Sequence, residues 1–133
     1  MTIEFREITP DDYDQLREFL SEQGWADRVR DLDRFRTMLE GSALTVLAVE
    51  EDTIVGFARA LCDGASNAYI STVAVAPDRR GQGIGRELVE RLMSGDTDGH
   101  ITWVLRARPD SVGFWSRLGF TPSSIAMERL RRE

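Results

Sequence analysis

Apolar positions along this chain recur with two periods, and the switches between them mark the elements. From Tyr69 to Val75 the period is two. Tyr69, Ser71, Val73 and Val75 fall on one face and Ile70, Thr72 and Ala74 on the other, so the stretch predicts a strand that ends at Pro77. From Ile84 the period changes to that of a helix, with Ile84, Leu88, Val89 and Leu92 on one side and Arg86, Glu87, Glu90 and Arg91 on the other. Between them lies the basic, glycine-rich turn Arg79-Arg80-Gly81-Gln82-Gly83. A strand, such a turn and a helix start form a recipe for binding a phosphorylated ligand, because the first-turn amides lack helical partners and point outward.

The same reading orders the rest. Thr2 to Ile8 alternates as a first strand. Thr9-Pro10-Asp11-Asp12 reads as a helix start, and Tyr13, Leu16, Phe19 and Leu20 make an apolar face that ends near Gly24. Leu32, Phe35, Met38 and Leu39 repeat that spacing up to Gly41, with Trp25 in the connecting loop. Ala43–Val49 and Ile54–Cys62 are apolar strands joined by an acidic turn, which predicts an antiparallel hairpin. Beyond the glycine-rich helix, Ile101–Leu105 is a strand reached by a right-handed parallel crossover. Ser111–Leu118 is a short helix closed by Gly119, and Ser124–Leu130 a last strand. This is mixed α/β with a largely antiparallel sheet, and its 133 residues suit one domain, 1–133.

Charge narrows the partner. Twenty-three acids against 17 basic residues give a net charge of −6, which points away from nucleic acid and anionic membranes and toward a small molecule. Every one of the 17 is arginine, so a single arginine carries little weight. Cys62 is the only cysteine, which excludes an internal disulfide or a cysteine-rich metal site, and neither a signal peptide nor a membrane-length apolar run is visible. A cytoplasmic protein is expected.

Glycine spacing decides between phosphate-binding patterns. The P-loop needs a lysine that the chain lacks, and the dinucleotide fingerprint fails because Arg86 stands where its third glycine belongs. What fits is R-x-x-G-x-G, in Arg80, Gly83 and Gly85. With its flanking strand and helix, and with the downstream FWSRLGF of Phe114–Phe120, the chain resembles the GCN5-related N-acetyltransferase (GNAT) superfamily over nearly its whole length.

The resemblance implies a transferase fold in which one parallel strand pair splays around acetyl-CoA. It implies that Arg80, Gly81, Gln82, Gly83, Ile84 and Gly85 cradle the pyrophosphate, that Val73 and Val75 offer backbone to pantetheine, and that the Val73 amide polarises the thioester carbonyl. Arg117 stands where relatives carry a cation near the adenosine phosphate. Trp115 departs from the pattern, since the family commonly has a tyrosine there to protonate the leaving sulfur and an indole N–H is no acid. It either packs against cofactor or core, or takes part in catalysis. Arg108 is a second departure, where many relatives have asparagine; Arg106 and Arg108 face phosphate, an anionic substrate, or solvent.

The base is the least visible part. Asp63, in a turn-rich loop, and Tyr69, at the entry of its strand, are the acid/base candidates, and His100 reads as an exposed loop residue. Arg59 lies inside an apolar run, where it must snorkel, pair with an acid or face a pocket. Trp25, Trp103 and Tyr69 either wall that pocket, favouring a hydrophobic amine, or belong to the core. The expectation is an N-acetyltransferase that passes an acetyl group to a small-molecule or peptide amine by direct attack in a ternary complex, with no metal and, by resemblance, a homodimer. The alternative is a coenzyme A-binding module with weak or no catalysis.

Overall fold

A computed structural model describes residues 2–132. Its five strands, β1 (Glu4–Arg6), β2 (Leu44–Glu50), β3 (Thr53–Cys62), β4 (Asn67–Val75) and β5 (Thr102–Leu105), lie side by side in chain order. The first three pairings are antiparallel and β4–β5 is parallel. The β2–β3 hairpin closes through Glu51 and Asp52, at φ of 48° and 64°, the left-handed pair that a two-residue hairpin turn needs.

Helices cover both faces. α1 (Tyr13–Leu20) and α2 (Leu32–Glu40) bury Leu16, Phe19, Leu20, Phe35 and Leu39 with Phe57 and Ala74 on one side of the sheet. The Asp31 carboxylate caps α2 by accepting from the Arg34 amide at 3.1 Å. At the entry to α1, Asp12 accepts two bonds of 2.8 Å from Arg6 and a third of 2.8 Å from the Thr9 amide. On the opposite face α3 (Ile84–Leu92) buries Ile84, Leu88, Val89 and Leu92 against Ala58 and Ala60, and α4 (Val112–Arg117) adds Trp115. The outer side of α3 carries Arg86–Glu90 and Glu87–Arg91 pairs one turn apart. No helix among the described residues is long and apolar enough to cross a membrane.

Two expectations need correction. The strand expected over Ser124–Leu130 is absent among the described residues. Ile125 and Met127 are 89% and 97% exposed, and the Ser123 hydroxyl accepts from the Ile125 and Ala126 amides, a local turn that competes with sheet pairing. The strict alternation read along β4 also fails at one point. Arg59 pairs with Thr72 but the next residue, Ala60, pairs with Ile70, so Ser71 is an extra residue and β4 bulges there. The bulge moves Ile70 to the α3 face beside Val73 and Val75, whereas Ala74 stays on the α1–α2 face.

Candidate active site

The parallel pairing of β4 and β5 runs from Asn67–Thr102 to Ile70–Leu105 and stops, although β4 continues to Val75. The two strands therefore part just where β4 bulges. The Ala76 amide donates to the Val55 carbonyl at 2.8 Å, so Ala76 and, two residues back, Ala74 turn their backbone toward β3. By strand alternation the amides of Val73 and Val75 point to the opposite edge, into the gap. The Val75 carbonyl, on that edge, accepts from Arg80 Nε at 3.4 Å.

The gap opens into a cavity of about 620 Å³. Nine of the residues singled out in the sequence line it together: Val73, Val75, Arg80, Gly81, Gly83, Ile84, Gly85, Trp115 and Arg117. Gln82 belongs to the same turn but does not line the cavity. The glycines do different jobs. Gly81 and Gly83 have φ of 78° and 84°, which a side chain would strain, and a Cβ on either would stand in open space. Gly85 has ordinary backbone, but a Cβ there would lie 3.2 and 3.3 Å from ring atoms of Phe114. Turn shape therefore requires the first two, and the packing of α3 on α4 the third.

Trp115, 8% exposed, stacks edge-on against Phe114 and Phe120 at 4.9 and 5.3 Å between ring centres. It belongs to the α3-side core and to the cavity wall at once. Arg80 and Arg117, on the same side, have no carboxylate partner among the described residues, whereas Arg79 is tied to Glu50. This wall, with helix-start amides, two unpaired guanidinium groups and two unpaired strand amides, suits a phosphate-bearing ligand with an amide-containing arm.

The opposite wall belongs to the α1–α2 side. Trp25 and Gln23, from the turn after α1, line the cavity together with Ser71, Thr72 and the end of β5. Arg108 lies over the Trp25 ring, 5.8 Å from its centre, and Arg106 pairs with Glu128 at 2.9 Å. Arg59, only 9% exposed, does not snorkel and pairs with no acid among the described residues. Its three nitrogens donate to the Thr72, Ser42 and Ser71 hydroxyls at 3.2, 3.2 and 2.9 Å. Burial lowers its pKa, Tyr69 partly offsets this, and nearby Arg28 adds to it. Ser71, Thr72, Gln23 and Asp110 escaped the sequence reading as cavity residues. Only a count of strand register could have exposed the first two, and no local signal marks the others.

Other candidates lie apart. Asp63 sits in the β3–β4 loop outside the cavity, where the Ser66 hydroxyl and the Ser66, Ala65 and Asn67 amides hold its carboxyl well below the usual range. Tyr69 is half-buried and does not line the cavity. Trp103 is a core residue whose indole donates to Asp96 at 3.0 Å, and His100 is exposed beside Asp98. Asp110 is the one acid on the cavity wall.

Residues 7–129 match the family model of the acetyltransferase (GNAT) domain. The uncharacterized N-acetyltransferase ycf52 of Pyropia yezoensis is 31% identical over 111 residues, covering 80% of this chain and 63% of the relative. Serotonin N-acetyltransferase 2, chloroplastic, of Oryza sativa subsp. japonica is 34% identical over 120 residues, covering 86% and 59%. The chain thus spans about 60% of the length of these relatives. The solved structure of protein SA2161 from meticillin-resistant Staphylococcus aureus superposes with a TM-score of 0.83 over 99% of both chains at 18% identity, a likeness of fold. The splayed strands, the glycine-rich helix start and the matched sequence agree, and the chain belongs to the GNAT acetyltransferase family.

Proposed function

We propose that this protein transfers an acetyl group from acetyl-CoA to an amine by direct attack within a ternary complex. The observation that carries this is the splay of β4 from β5, which leaves the Val73 and Val75 amides turned into a cavity continuous with the glycine-rich start of α3. Bound acetyl-CoA supplies an acetyl thioester, so that a new N–C bond replaces the C–S bond and one amine proton ends on the released thiol.

The chain's own groups divide the work. The outward amides at Gly81–Gly85, with Arg80 and Arg117, hold phosphate. The Val75 backbone pairs with the arm of the cofactor, and the Val73 amide donates to the acyl oxygen, where negative charge grows. Phe114 and Trp115 give the cavity an apolar side. The fixed indole of Trp115 can donate a hydrogen bond toward sulfur but not a proton. We assign no base role to Asp63, since a carboxyl held by four donors in a distant loop is a weak proton acceptor. Deprotonation of the amine runs through water along the open side of the cavity.

The replacement of a phenol by Trp115 also supports a second reading, a coenzyme A-binding module with little catalysis. One experiment separates them: thiol release from acetyl-CoA is followed against a panel of amines, alongside calorimetric binding of coenzyme A. Turnover above hydrolysis with any amine supports the transferase. Tight cofactor binding without turnover on the whole panel leaves the module.

A further inference from the structure

The α1–α2 wall of the cavity, where an acceptor amine would approach, is built from donors. Arg59 donates to Ser71 and Thr72, and among the described residues neither hydroxyl donates to any protein acceptor. Each therefore has a lone pair committed to the guanidinium and its hydrogen still to place, and both residues line the cavity. The bulge at Ser71 makes this pairing, because it brings consecutive residues to one guanidinium. Arg108 adds a charge with no carboxylate partner among the described residues, held over Trp25. Asp110 is the one acid among the described residues that line the cavity, and it forms no ion pair with Arg108.

An ammonium group would meet hydroxyls that already accept from Arg59 and the positive charge of Arg108. A carboxylate would meet two hydroxyl donors, the Arg108 guanidinium and the field of a buried Arg59 that pairs with no acid among the described residues. We propose that the acceptor is an amine that also carries a carboxylate, as an amino acid does, seated with that carboxylate against Arg108 and the Ser71 and Thr72 hydroxyls. Arg59 is the positioning residue that turns those hydroxyls toward the ligand. Trp25 gives the side chain of the acceptor an apolar surface. The proposal rests on the transferase reading and names the substrate class for it.

The test compares matched pairs, each an amino acid and its decarboxylated amine: tryptophan with tryptamine, phenylalanine with phenethylamine, ornithine with putrescine. Thiol release is expected to favour the amino acid of at least one pair by tenfold or more in kcat/KM. In Arg108→Gln the KM for that amino acid rises tenfold or more, and the ratio within the pair falls toward one. Arg59→Met, checked for folding by its melting curve, lowers the same ratio, and Arg59→Lys restores part of it. Calorimetry with the preferred amino acid added to the coenzyme A complex gives a readout without turnover, and Arg108→Gln weakens that binding tenfold.

A preference for the decarboxylated member of every pair overturns the proposal while leaving the transferase intact. A rise in the acetyl-CoA KM of Arg108→Gln equal to the rise for the amino acid overturns it by moving Arg108 to the cofactor. An equal loss of kcat on all amines in Arg59→Met overturns it by giving that residue to acyl transfer itself. Absence of turnover on every amine sinks the transferase reading instead.

Discussion

Gly83 separates the cost of shape from the cost of charge in the glycine-rich turn. It stands just before α3 at φ 84°, and a Cβ there has nothing within 4 Å. Gly83→Ala therefore carries only the left-handed backbone penalty of about 1–2 kcal/mol, with no collision to add. For a chain of 133 residues this lowers the melting temperature by about 3–10 °C. Gly83→Glu has the same backbone penalty and adds a carboxylate that points into the open space of the cavity. One negative charge ~7 Å from a doubly charged pyrophosphate costs about 1 kcal/mol in bulk water and about 5 kcal/mol at an effective dielectric of 20. The two variants should thus melt within about 2 °C of each other, while coenzyme A binds the Glu variant at least about fivefold more weakly than the Ala variant. Thermal melts and calorimetric titration with coenzyme A give both quantities. Raising salt should shrink the difference in affinity and not the difference in stability. If both variants bind coenzyme A equally, no phosphate sits at this turn, and the reasoning from outward amides fails.

Other consequences follow from single contacts. Asp12→Asn removes charge-assisted bonds to Arg6 and weakens the start of α1, and should destabilise the fold by about 1–3 kcal/mol at pH 7 in urea unfolding. In the wild-type chain the Arg6 bond, opposed in part by burial, lowers the folded-state pKa of Asp12. Its contribution is therefore present above the unfolded carboxyl value of about 4 and is lost as pH falls through the lower folded value, so the gap between the two proteins should close toward acid pH. A gap that is constant from pH 7 to pH 2.5 would contradict this. Trp115→Phe keeps an aromatic ring between Phe114 and Phe120 and should retain thiol release within about threefold, since no proton moves through the indole. A hundredfold loss in a folded variant would show that the indole N–H itself serves the reaction.

What the chain discloses about itself depends on whether the information is local. The periods of α1, α2 and α3 are visible because each helix buries one face, and the burial of Leu16, Phe19, Phe35, Leu88 and Leu92 follows the spacing. The glycine-rich turn is visible because left-handed positions admit few residues besides glycine. Gly85 matches the other two on spacing alone, yet its reason is Phe114, 29 positions further along the chain, which spacing cannot express. The bulge at Ser71 is hidden for the same cause. Alternation from Tyr69 to Val75 is unbroken in the sequence, and only the register against β3 reveals the extra residue. The strand expected over Ser124–Leu130 does not form among the described residues, because Ser123 turns the chain and leaves Ile125 and Met127 in solvent.

The hidden bulge changes the most about the site. Without it Ser71 would share the α3 face with Val73 and Val75, and Arg59 would have Thr72 alone on its own strand pair. With it, one irregularity turns consecutive hydroxyls to the α1–α2 face, swings Ile70 into the opposite core and coincides with the last residue that β5 can pair. The place where the strands part is thus also the place where the cavity changes character, from amides, Arg80 and Arg117 on the α3–α4 side to hydroxyls, Arg59 and Arg108 on the other. A net charge of −6 would suggest that this protein draws cations. The cavity itself is locally positive, because Glu50, Glu90 and Glu128 bind Arg79, Arg86 and Arg106 and leave Arg80, Arg108 and Arg117 without a carboxylate partner among the described residues, against the single cavity acid Asp110.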